Sequence, residues 1–105
     1  MKPGNMQNLM KQAQRMQADM ARVQDELKFE KVDVSVGGGA VKVVVTGELE
    51  LASVSIDPAA VDPDDVSMLE DLITAAVNEG IRQAQDVAAK KMAAITGGLN
   101  MPGLM

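Results

Sequence analysis

The stretch KVDVSVGGGAVKVVV, residues 31–45, decides the fold. Val32, Val34 and Val36 alternate with Lys31, Asp33 and Ser35, the period of two that marks a half-buried strand. Gly37-Gly38-Gly39 then breaks the pattern, and glycine supplies the positive φ of a tight turn without a steric cost. Val41, Val43 and Val45 resume the alternation, with Val44 on the opposite face. Gly47-Glu48 is the next turn, and Leu49 to Ile56 reads as a third strand with Ala52, Val54 and Ile56 on one face. Three short strands joined by tight turns within residues 30–56 predict an antiparallel meander with one apolar face to be covered.

Helical patterns flank this sheet on both sides. Upstream, Met6, Leu9, Ala13, Met16, Met20, Val23 and Leu27 follow a 3-4 spacing over three heptads, the signature of a coiled-coil seam. The spacing predicts a helix over 5–27, with Asn5 as N-cap after Pro3-Gly4 and a length of about 35 Å. Downstream, Asp62-Pro63-Asp64-Asp65 reads as a helix start, with Asp62 as N-cap, and the helix is expected over 63–95. Its buried side would be Val66, Leu69, Ile73, Val77, Ile81, Ala84, Ala88, Met92 and Ile95, and Ala75, Ala76, Gly80, Ala84 and Ala88 permit close approach. Gly97-Gly98 is the expected stop. Residues 96–105 form an apolar, irregular tail that either docks in a groove or stays mobile. The class is α+β: one domain, helix–three-stranded antiparallel meander–helix.

Composition excludes several functions. The chain of 105 residues has no Cys and no His, which removes disulfides, thiolate metal sites and the commonest general base. Ser35, Ser53, Ser55 and Ser67 therefore have no histidine to activate them. The glycine run passes into a strand, not a helix, so it is a hairpin turn and no phosphate-binding loop. Asp62, Asp64 and Asp65 lack the spacing of a calcium loop. A non-enzyme without cofactor, metal or small-molecule substrate is expected. No apolar run approaches the roughly 20 residues of a membrane span, and the first residues lack a signal-peptide core, so the expected location is the cytoplasm. Phe29 is the only aromatic, and nine Met with many Val and Ala must fill the core. Such a small core predicts an obligate oligomer, most simply a twofold dimer.

The net charge is -5, but it is unevenly spread. Residues 1–31 carry +2, residues 32–79 carry -9 and residues 80–105 carry +2. On the first helix Lys11, Arg15 and Arg22 fall within about 40° of one another and roughly 150° from the apolar seam. A stripe held outward in this way suits an anionic partner. The plain alternative is a solvated face, with Arg15–Asp19 and Arg22–Glu26 as i,i+4 pairs. Arg82, Lys90 and Lys91 form a second, weaker basic group near the end of the second helix. With one aromatic there is no platform for stacking bases, which counts against single-stranded DNA or RNA as the anionic partner.

Several segments together resemble one family. They are Gly4-Asn5-Met6-Gln7-Asn8-Leu9-Met10-Lys11-Gln12-Ala13-Gln14, Gly37-Gly38-Gly39-Ala40-Val41-Lys42-Val43, Ile56-Asp57-Pro58, Asp62-Pro63-Asp64-Asp65-Val66, Met68-Leu69-Glu70-Asp71-Leu72-Ile73, Ala75-Ala76-Val77-Asn78 and Thr96-Gly97-Gly98-Leu99. In this order they are similar to the YbaB/EbfC family of nucleoid-associated DNA-binding proteins. The resemblance implies a bacterial homodimer formed through the sheet and adjoining helices, tweezer-like, with helical arms that contact duplex DNA in the nucleoid. It implies contact through basic positions of the first helix, here Lys11, Arg15 and Arg22. One departure is the acidic balance, with Asp19, Asp25 and Glu26 beside the basic stripe. The rival reading is a prefoldin-like or adaptor module that holds proteins on its arms without binding DNA.

Overall fold

The computed structural model describes residues 3–97 and extends 74 × 27 × 16 Å. Helix α1 (Pro3–Leu27) leads into strands β1 (Lys31–Val36), β2 (Val41–Thr46) and β3 (Leu51–Ile56), and helix α2 (Val66–Gly97) closes the chain. The strands form an antiparallel sheet in the order β1-β2-β3, the expected meander.

Register explains the core. Val32, Val34 and Val36 lie opposite Val45, Val43 and Val41, so the apolar positions of two strands share one face. Val43 and Val41 in turn face Val54 and Ile56. Helix α2 packs on this face, and Val34, Val41, Val43, Val45, Ala76 and Ala84 are buried. Its closest line is Ala76-Gly80-Ala84, one residue per turn. A Cβ added at Gly80 would lie 2.6 Å from Val45 Cγ2, so the absence of a side chain sets how near helix and sheet can come. Gly47 serves the other end of the sheet: a Cβ there would stand 2.5 Å from the Leu27 carbonyl oxygen, where α1 ends.

Four details differ from the sequence expectations. Helix α1 begins at Pro3, so Asn5 lies inside it; the fixed φ of proline suits a first helical turn. Helix α2 begins at Val66, not at residue 63. Asp65 is the cap, its Oδ1 accepting from the Met68 N–H at 3.3 Å, three residues on. Asp62 instead accepts from the Asp64 N–H at 2.9 Å, two residues on, which closes a turn and leaves Val66 exposed. Third, β3 begins at Leu51, because Leu49 occupies the preceding turn at φ 67° and donates to the Thr46 carbonyl. The register also slips between Val44 and Val45, which pair with Ser53 and Leu51, so Ala52 drops out of the expected alternation with Val54 and Ile56. Fourth, α2 runs through Gly97, two residues past the expected end at 95. The tail expected over 96–105 lies outside the described residues from residue 98 onward, and so does Gly98.

The seam of α1 is covered only at its end. Val23 and Leu27 are buried and Met16 is half-buried, whereas Ala13 and Met20 are exposed and Met6, Leu9 and Met10 expose 56%, 56% and 62% of their surface. The groove between the helices is lined by Ala94 and Ile95 of α2 and by no α1 residue before Arg15, and residues 6–14 are all exposed. The first dozen residues of α1 thus project as an arm.

Asp65→Ala is expected to cost about 1 kcal/mol of stability, the usual loss for an N-cap, measured by urea unfolding. Asp62→Ala, which removes only a turn bond, is expected to cost less.

Candidate nucleic-acid interface

Ten basic residues are distributed over the chain, and carboxylates already hold several of them. Arg22 donates to Glu26 Oε1 at 3.0 Å and to Asp19 Oδ1 at 3.4 Å. Lys91 reaches Glu30 at 3.0 Å and Glu26 at 3.3 Å, joining α2 to the end of α1. Lys90 pairs with Asp86 at 3.0 Å, Arg82 pairs with Glu79, and Lys28 pairs with Asp25 at 2.7 Å. Among the described residues Lys11, Arg15, Lys31 and Lys42 have no carboxylate within ion-pair distance. The alternative pairing expected of Arg15 with Asp19 is absent, because Asp19 turns to Arg22 instead.

Arg15, Arg22 and Lys91 come together along a groove of about 380 Å³ between the helices, with Asp19 and Glu26 among them. Met16, Val23, Ala94 and Ile95 complete its walls. On a helical wheel the α1 residues of this groove span about 120°, from the basic stripe to the near edge of the seam. This corrects the expectation that the basic stripe stands wholly apart from the packed side. Helix α2 lies over the flank between the two stripes, which leaves Arg15 and Arg22 at the groove margin and the far flank of the seam open. Lys11, one turn beyond Arg15, lies past the groove on the free arm. Arg82 and Lys90 do not line the groove.

The joint at the base of the arm is electrostatic. The Lys91 ammonium, and after it the Arg22 guanidinium, hold the Glu26 carboxyl below the ordinary glutamate range. Glu30, and then Glu26, raise the Lys91 ammonium in return. Glu26 lies between two cations from two helices, so it keeps Arg22 folded back along α1 while Lys91 ties α2 to the same side chain. In sequence Lys91 read as a basic surface residue. In the structure it is a link between the helices. The free cations Lys31 and Lys42 were absent from the sequence-based candidates, although strand alternation alone places both opposite the valine face.

Among the described residues no helix is long and apolar enough to cross a membrane, and no group of three or more His, Cys, Asp or Glu could hold a metal.

The fold is of the α+β class, two helices about a three-stranded antiparallel sheet. The chain belongs to the YbaB/EbfC DNA-binding family, which it matches over residues 1–99. It is 54% identical to a nucleoid-associated protein of Ruminiclostridium cellulolyticum, over 96% of this chain and 89% of that one. A nucleoid-associated protein of Acetivibrio thermocellus is 56% identical over 96% of this chain and 90% of its own. One from Pelotomaculum thermopropionicum is 52% identical over 96% of both. The fold is similar to the crystal structure of an uncharacterized protein from Helicobacter pylori, with a TM-score of 0.69 at 20% identity, covering 86% of this chain and 91% of that one. This family is a DNA-binding one and not a family of enzymes.

Proposed function

We propose that this protein is nucleoid-associated and binds duplex DNA as a homodimer, through Lys11 on the projecting part of α1 and Arg15 at the base of that arm. The observation that carries the reading is that, among the described residues of α1 and the joint, Lys11 on the exposed arm and Arg15 at its base have no carboxylate partner, whereas Arg22, Lys28 and Lys91 are held by carboxylates. Free cations release condensed counterions on reaching phosphates, whereas Arg22, Arg82, Lys90 and Lys91 must first give up an acid. They are therefore secondary contacts. Phosphate contacts of this kind set affinity and orientation without selecting a sequence. Membership of a DNA-binding family supports the partner. Gel-shift titration of unrelated duplexes at two salt concentrations tests it: both duplexes should shift, and more weakly at the higher salt. No shift at low salt would refute the reading.

The dimer is supported by the edge of the sheet. Strand β3 carries neither charge nor proline, and both devices protect edge strands from pairing. Leu51 and Val54 are 47% and 42% exposed there. Pairing across this edge would cover apolar surface that a single α2 leaves open and would place two arms on one particle. Val54→Lys is expected to turn the dimer into a monomer, read by light scattering after gel filtration.

The exposed Met6, Leu9 and Met10 favour a second reading, a module that holds apolar segments of other proteins on its arms. Protection of an unfolding client without any duplex binding would favour that reading over the first.

A further inference from the structure

The two free cations outside the arm both lie on the outer face of the sheet. Lys31, Asp33 and Ser35 of β1 lie opposite Thr46, Val44 and Lys42 of β2, and Lys42 and Val44 lie opposite Ser55 and Ser53 of β3. Residues 32–79 carry ten acids and one lysine, yet of those acids only Asp33 occupies a strand position on this face. The strongly acidic middle of the chain thus keeps one surface almost clear of carboxylates, and its single lysine stands there. Lys42 sits in a cross-strand row between Ser35 and Ser55, all three exposed. Directly paired strand residues hold their Cβ atoms about 5 Å apart, so the Lys42 stem starts between two serines, and its Cε passes 3.8 Å from where a Cβ at Gly39 would lie. This row and the next, Asp33–Val44–Ser53, line a shallow depression of about 320 Å³. The row offers three ammonium donors and two rotatable hydroxyl donors. A phosphate with its free oxygens is the complementary acceptor.

We infer that the Ser35–Lys42–Ser55 row is a second phosphate-binding site, which takes a backbone phosphodiester of duplex DNA while the arms hold the duplex elsewhere. Lys42 supplies the charge, the two serines supply oriented donors, and Lys31 adds positive potential along the same face. The inference rests on the DNA-binding reading above. In a dimer the site occurs twice, so the duplex would touch the body of the particle as well as its arms. The same chemistry would accept free phosphate, and the test separates the two sources.

Backbone amide resonances of the isotopically labelled full chain are followed during titration with a short duplex and, separately, with inorganic phosphate. Salt-dependent duplex binding is measured in parallel for Lys42→Gln and for Lys11→Gln/Arg15→Gln. The duplex is expected to shift the amides of Ser35, Lys42 and Ser55, and Lys42→Gln is expected to make the slope of log K against log salt shallower by about 1.8, at about 0.9 per lost contact in each of two protomers. Wild-type affinity and slope in Lys42→Gln, while Lys11→Gln/Arg15→Gln weakens binding, would overturn this site and leave the arm reading intact. Shifts of the three amides with phosphate but not with duplex would make it a small-anion site and overturn the backbone assignment. No duplex binding by the wild-type protein would overturn the DNA-binding reading itself.

Discussion

A protein carrying Lys11→Glu and Arg15→Glu is expected to lose duplex affinity by about 1,000-fold or more near 0.1 M salt. In a dimer the two substitutions remove four cations. Each phosphate contact contributes roughly 0.9 to the salt exponent, close to one decade of affinity at that concentration, and the new carboxylates add repulsion. The fold should be untouched, because both side chains are exposed and neither holds a carboxylate. Circular dichroism and gel filtration should therefore match the wild type. Arg22 is a poorer test. Its replacement by Glu would break its pairs with Asp19 and Glu26 and set a third acid beside them, mixing a loosened joint with any loss of DNA contact. A double variant at positions 11 and 15 that still binds with wild-type affinity would move the interface off the arm.

Gly80→Leu is expected to have the largest effect on stability. The Cβ alone would meet Val45 Cγ2 at 2.6 Å and Val43 Cγ2 at 3.4 Å, and both valines are buried in the centre of the sheet. Neither can turn away without displacing a neighbour on β1 or β3. Helix α2 would have to lift from the sheet along Ala76, Gly80 and Ala84. Overpacking of this kind usually costs about 1–3 kcal/mol for added methylenes in a close-packed core, and a leucine on a helix–sheet contact belongs at the upper end or beyond. The gain in helix propensity on replacing glycine, about 1 kcal/mol at most, does not offset it. Urea unfolding should show a much lower midpoint, and a midpoint equal to the wild type would mean that α2 does not rest on β2 at Gly80.

Most of the fold was legible because each element repeats a short period. The strand alternation of Val32 to Val36 and Val41 to Val45 and the turn at Gly37-Gly38-Gly39 correspond to β1, β2 and their connection. The small residues Ala76, Gly80 and Ala84 marked the close contact between helix and sheet. What periodicity could not carry was the choice among neighbouring alternatives. Asp62 and Asp65 are both good caps, and the difference lies in whether the accepting bond reaches two residues or three. The slip at Val44 and Val45 leaves no mark in a run of valines, since either register keeps apolar residues on the core face.

The candidate site was legible as a set of charges but not as a set of pairings. Spacing placed Arg15 and Arg22 each one turn from an acid, and only the rotamers decide that Asp19 and Glu26 both serve Arg22. The bridge from Lys91 to Glu26 and Glu30 joins residues some sixty positions apart, beyond the reach of any local pattern. The α1 seam was read as a packed surface because three heptads of apolar residues ask for a partner. The single chain buries it fully only at Val23 and Leu27.

The most direct test of the central claim is the salt dependence of duplex binding, measured by fluorescence anisotropy between about 50 and 200 mM salt for the wild type and for Lys11→Gln/Arg15→Gln. Neutral glutamine removes the charges without adding repulsion. A dimer that loses four phosphate contacts should show a slope of log K against log salt shallower by about 3.6. Parallel slopes for the two proteins would contradict the assignment of the arm as the surface that meets DNA.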